Sequence, residues 1–154
     1  VRLVGSEMCI RDSYGLEAGK YRLALKTPKD QIINVEYTRD KSKKKAAYKK
    51  SKAINLKSDI DSIYTSTEKA ARWYKVSVSS TKKRKAVTLS KDSVGGGFKF
   101  RVYQKGKRLK TVRVTKNDKV KTVKLPKKKG TYYVKVTKLT SKTTGAYYLG
   151  TYTY

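Results

Sequence analysis

Histidine is absent from this 154-residue chain, cysteine and methionine occur once each, and proline twice. With no histidine and a single thiol, Cys9, the usual general base, a Cys–His nucleophile pair and most zinc sites are excluded together. Catalysis would have to rest on carboxylates, lysine, serine or tyrosine, and no base, nucleophile and orienting group fall at a recognisable spacing. The chain therefore reads as a non-enzyme with no catalytic residues. No apolar run approaches the roughly 18 residues of a membrane span. Acidic residues are scarce too: 11 Asp+Glu face 40 Lys+Arg, a formal net charge of +29.

Cys9 and Met8 both lie in residues 3–13, Leu-Val-Gly-Ser-Glu-Met-Cys-Ile-Arg-Asp-Ser. This segment resembles the in-frame translation of a transposase adapter used in sequencing libraries, and residues 1–13 are set aside from fold reasoning. On that reading any export signal would have been lost with the natural N-terminus, and its absence says nothing about compartment. A thiol-free remainder is compatible with an oxidising exterior. It amounts to roughly 140 residues, enough for one domain of ordinary size plus a fragment.

Charge is spread unequally. Residues 1–40 hold 7 Lys+Arg against 6 Asp+Glu, while residues 41–154 hold 33 against 5. A small soluble domain is well served by a net charge of about 2 to 8, so the second part carries far more self-repulsion than solubility requires. Either it faces a polyanion or its surroundings screen it.

Period-two alternation is the clearest local signal. Gly130-Thr131-Tyr132-Tyr133-Val134-Lys135-Val136 has a looser copy in Gly19-Lys20-Tyr21-Arg22-Leu23-Ala24-Leu25. Each is a turn glycine leading into a strand with apolar residues two apart. Residues 14–40 read as the terminal hairpin of a truncated preceding module, 41–52 as a Lys-rich linker, and 53–154 as a complete module. Within the module, alternating runs fall at 73–78, 86–89, 98–102, 109–114, 120–125, 132–136 and 147–151, with a polar stretch from Asp59 through Asp61 and Ser62 toward Thr67. Turns are expected around Gly106, Asn117-Asp118, 126–130 and 141–145. Short strands at this spacing, with no amphipathic helix, indicate an all-β, antiparallel β-sandwich.

The order Trp73-Tyr74-Lys75-Val76, Phe98 to Val102, Lys128-Lys129-Gly130-Thr131-Tyr132-Tyr133-Val134 and Gly145-Ala146-Tyr147-Tyr148-Leu149 resembles the bacterial pre-peptidase C-terminal domain, over roughly residues 45–154. That resemblance implies a jelly-roll-like sandwich in a secreted or surface-attached bacterial protein. It would serve as an accessory module beside enzymes or in tandem arrays, with neighbouring modules of the same chain as partners. Some relatives bind calcium, and some bind collagen or other insoluble substrates. The chain departs from the family where metal would matter, since Ala71 and Arg72 stand before Trp73 and the linker is lysine. Calcium takes about 6 to 8 oxygens, and the module offers only Asp59, Asp61, Glu68, Asp92 and Asp118, so no metal or other cofactor is expected.

Lys99, Arg101, Lys110, Lys121, Lys124 and Lys135 are expected on outer sheet faces, interleaved with Tyr103, Tyr133 and Tyr148. Lysines supply counterion release and aromatic rings supply contact area. The expected role is a non-catalytic extracellular or cell-surface module that binds an anionic cell-wall polymer or acidic glycan. The alternatives are a structural spacer beside a secreted hydrolase and, third, a nucleic-acid binder; lysine could also serve only to solvate the surface and guard edge strands. Lys82-Lys83-Arg84-Lys85 reads as a charged hairpin turn rather than a nucleic-acid patch. Gly95-Gly96-Gly97 lacks the Lys-Ser/Thr and helix of a phosphate loop, and Trp73 reads as a core or strand-edge residue.

Overall fold

Within residues 53–154 the strands expected from alternation form, and two more join them. The computed structural model describes residues 47–57, 61–64, 71–92, 96–141, 143 and 146–154; the adapter-like segment and the hairpin expected over 14–40 lie outside these. A 3-10 turn at Lys50–Lys52 is followed by β1 (Ile54–Asn55), β2 (Asp61–Tyr64), β3 (Arg72–Val78), β4 (Lys85–Asp92), β5 (Phe98–Gln104), β6 (Lys107–Val114), β7 (Val120–Lys124), β8 (Gly130–Lys138) and β9 (Ala146–Thr153). The stretch read as polar around Asp61 is in fact strand β2, paired antiparallel with β9. Four residues are too short a window for alternation to register.

The strands form a five-stranded sheet, β1-β3-β8-β5-β6, and a four-stranded sheet, β2-β9-β4-β7. From β2 onward this is the jelly-roll order, in which successive strands pass from one sheet to the other. Pairing is antiparallel except for β1, which lies parallel to β3 through Ile54↔Tyr74 and Asn55↔Lys75. One connection within this order is a hairpin, the Lys105-Gly106 turn between β5 and β6, where both residues have positive φ (47° and 80°) as a two-residue turn matching strand twist requires. The segment at 82–85 is not a hairpin turn, because β3 and β4 belong to different sheets; it is an arch over the sandwich end. Lys85 Nζ donates to Ser77 O at 2.8 Å across it.

Burial follows the alternation. Tyr74, Val76 and Val78, Phe98, Phe100 and Val102, and Tyr132, Val134 and Val136 point inward from the larger sheet and meet Val87, Leu89, Val123, Tyr147 and Leu149 of the smaller. The two layers are joined by a 2.6 Å hydrogen bond between the Tyr74 and Tyr147 hydroxyls and by the Phe98 and Tyr147 rings, 4.9 Å apart at 60°. Of the stretch read as linker, residues 47–52 are described, and they dock on β3. Ala47 is buried and its carbonyl accepts from Trp73 N at 2.8 Å. Lys50 Nζ lies 4.6 Å from the Tyr133 ring centroid.

Asp118 closes the arch between β6 and β7. Its Oδ2 accepts from Thr115 N at 2.8 Å and Thr115 Oγ1 at 2.7 Å, while Oδ1 meets Lys121 Nζ at 2.7 Å. The Lys121 hydrogen bond, then those from Thr115, hold the carboxyl far below its ordinary value. A depressed folded pKa contributes stability at neutral pH that declines as the pH falls below the unfolded value near about 4. Asp118→Asn should therefore melt below the parent at pH 7, with the gap closing in strong acid. Thermal melts across the range decide it, and a constant gap would assign the loss to geometry instead of charge.

Candidate functional site

Where one sheet face is buried, the other must present every second residue to solvent. On the larger sheet the register sets these residues in rows. Trp73, Lys135, Arg101 and Thr111 stand side by side across β3, β8, β5 and β6, and Lys75, Tyr133 and Tyr103 form the next row. Lys99 lies between Thr137 and Arg113 in the row before. The Trp73 and Tyr103 rings approach to 5.6 Å at 42° across β8, and Lys135 Nζ lies 5.3 Å from the Trp73 centroid. Trp73 is thus on the outer face and not in the core, as the inward parity of Tyr74 requires.

Five of the nine expected site residues, Lys99, Arg101, Tyr103, Tyr133 and Lys135, gather on this face. Two of its neighbouring pairs are like-charged, Lys99 opposite Arg113 and Arg101 opposite Lys135. Cβ atoms of such pairs are about 4.5–5.5 Å apart, and like charges there are destabilising. None of β1, β3, β5, β6 and β8 contains an Asp or Glu, so these strands hold no counter-charge.

The other four residues are elsewhere. Lys124 and Tyr148 project from the outer face of the smaller sheet, on the opposite side of the sandwich, where Lys124 Nζ lies 5.3 Å from the Tyr154 ring. Lys110 and Lys121 are not on an outer face. Lys110 is opposite the buried Val102 and Lys121 opposite the buried Leu89, so both have inward parity. They reach water because β6 and β7 are edge strands at the open side of the sandwich. There Lys110 borders a cleft of about 340 Å³ with Leu109, Val123 and Leu125, and Lys121 is held by Asp118.

Other lysines serve the fold. Lys91 Nζ donates to Lys116 O at 2.9 Å and Gly96 O at 3.3 Å, bridging two arches. The smaller sheet's outer face carries a feature alternation did not single out, a concavity of about 280 Å³ between Tyr148 and Tyr152, floored by Gly150, Thr88, Ser90 and Thr122. Strand parity could have placed Tyr152 beside Tyr148, but the floor belongs to three strands and needs the sheet order. Among the described residues no helix is long and apolar enough to cross a membrane.

No protein-family model and no curated protein matches the chain. Among solved structures it is similar to a family 35 carbohydrate binding module from an environmental isolate, at 17% identity and a TM-score of 0.42, over 66% of this chain and 89% of that one.

Proposed function

We propose that the chain is a non-catalytic attachment module whose five-stranded sheet binds an anionic cell-wall polymer or acidic glycan on its outer face. The observation that carries this is the pairing of Lys99 with Arg113 and of Arg101 with Lys135 on strands free of carboxylate. Such pairs cost stability in the free protein, and an anionic chain laid across them removes that cost. Trp73, Tyr103 and Tyr133 supply rigid faces for sugar rings between the charges. The resemblance to pre-peptidase C-terminal modules fits a secreted or surface-attached setting with further modules in the same chain.

Binding of this kind releases counterions. With about four cations engaged, raising salt from 50 to 200 mM should weaken binding to a dense polyanion by roughly 50-fold. Retention of the chain on immobilised polyglycerol-phosphate teichoic acid and on polygalacturonate, measured across that range with dextran as the neutral control, tests it. Retention indifferent to salt would refute the electrostatic mechanism.

A further inference from the structure

The outer face of the four-stranded sheet differs in chemistry from the cationic one. In a chain with 40 Lys+Arg, its concavity is bordered by Thr88, Ser90, Thr122, Tyr148, Gly150 and Tyr152, with no charged side chain among the described residues that line it. We propose that this groove is a second binding site, for a neutral, extended β-1,4-linked polysaccharide.

The strand geometry builds the groove. Along β9, residues 148, 150 and 152 share the outer face, and the middle one is glycine, so a gap opens between two tyrosines whose Cα atoms are roughly 13 Å apart. Gly150 is opposite Thr88 on β4, and Thr88 is opposite Thr122 on β7. The floor is therefore a row of small residues crossing three strands. The Thr88 and Thr122 hydroxyls are 3.0 Å apart. That bond uses one of their two protons, leaving a donor and several lone pairs for a ligand.

Tyr152 is 45% exposed, and its ring lies 5.8 Å from that of Tyr154, prolonging the aromatic line along the strand. Tyrosines spaced along one strand, with hydroxyls between them, match a glycan whose apolar sugar faces and hydroxyl edges repeat along a straight ribbon. A coiled α-glucan would leave that line. The described lining carries no charge, which disfavours an ionic polymer in the groove itself; Lys124, a cation on the same face, lies over the Tyr154 ring beyond it. Since the two faces are on opposite sides of the sandwich, one module can bridge a neutral and an anionic polymer.

The test is a titration of the isotope-labelled chain with cellohexaose, read by backbone amide shifts in about 1 M salt, where the Debye length is about 3 Å and the cationic face is screened. Shifts are expected at Thr88, Thr122, Gly150 and Tyr152, with Lys99 and Arg101 unmoved. Tyr152→Ala should weaken cellohexaose binding roughly tenfold and leave retention on teichoic acid unchanged. A double variant, Thr88→Val with Thr122→Val, preserves shape and should weaken it as well. K99E/R101E should leave cellohexaose binding intact, so failure of this site and of the cationic one are read separately. No shift up to the solubility limit of the sugar, shifts confined to the larger sheet, or unchanged binding by Tyr152→Ala would overturn the proposal.

Discussion

The double substitution K99E/R101E is expected to make the module more stable while abolishing its hold on an anionic polymer. Lys99 is opposite Arg113 and Arg101 is opposite Lys135, so two charge reversals turn both repulsive pairs into attractive ones. Each cross-strand pair contributes about 0.2–1 kcal/mol. The gain should appear as a melting temperature higher by several degrees, since about 1 kcal/mol moves a domain of this size by roughly 4–8 °C. Binding should move the other way. Two cations are lost, and Lys135 and Arg113 acquire partners within the protein, so affinity for teichoic acid at 50 mM salt should fall by roughly 100-fold or more. Calorimetric melting and a binding isotherm on the same preparation separate the two effects. A variant that lost both stability and binding would show that these residues serve the sheet, and one that kept its affinity would move the polyanion site elsewhere.

Gly97→Ala is expected to lower the melting temperature by roughly 12–24 °C, which corresponds to about 3 kcal/mol. A Cβ on Gly97 would sit 2.1 Å from Val114 O and 2.8 Å from Leu139 Cδ1. The Leu139 methyl ends a flexible side chain and can turn aside, but the Val114 carbonyl is backbone and cannot withdraw easily. Val114 is wholly buried at the end of β6, and Leu139 N is bound to Gly97 O at 2.9 Å. Gly97 N in turn faces Thr143 Oγ1 at 3.4 Å, so the arch between β8 and β9 is seated on the same point. Gly106 supplies the contrast: it has φ of 80° in the β5–β6 turn and nothing within 4 Å of an added Cβ. Gly106→Ala should cost only about 1 kcal/mol, through backbone strain. If the two variants melted together, the close approach at Gly97 would carry no weight in the fold.

How much of the site was legible depends on parity. Lys121 and Lys124 are three residues apart and cannot share a face of one strand; with Val123 buried, Lys124 points out and Lys121 in. The same rule sends Lys110 to the side of Val112 and Val114, and Trp73 away from Tyr74. These placements were available in the sequence but needed each residue to be counted against its apolar neighbours. Strands β1 and β2 were not available in that way. Two and four residues carry too little pattern, and what makes them strands is an open edge offered by β3 and β9.

The sequence by itself determined an all-β chain, the inward rows of tyrosine, valine and phenylalanine, and a cationic surface, because backbone geometry turns successive side chains to opposite faces whatever the strand later pairs with. Tertiary structure alone decided which strands became neighbours. It set Trp73 against Tyr103 across β8, put Arg101 opposite Lys135, and separated Tyr148 from Tyr133 by the thickness of the sandwich. Strand order is a choice among long-range pairings, settled by which arrangement buries both inner faces at once. No local window of residues contains that information.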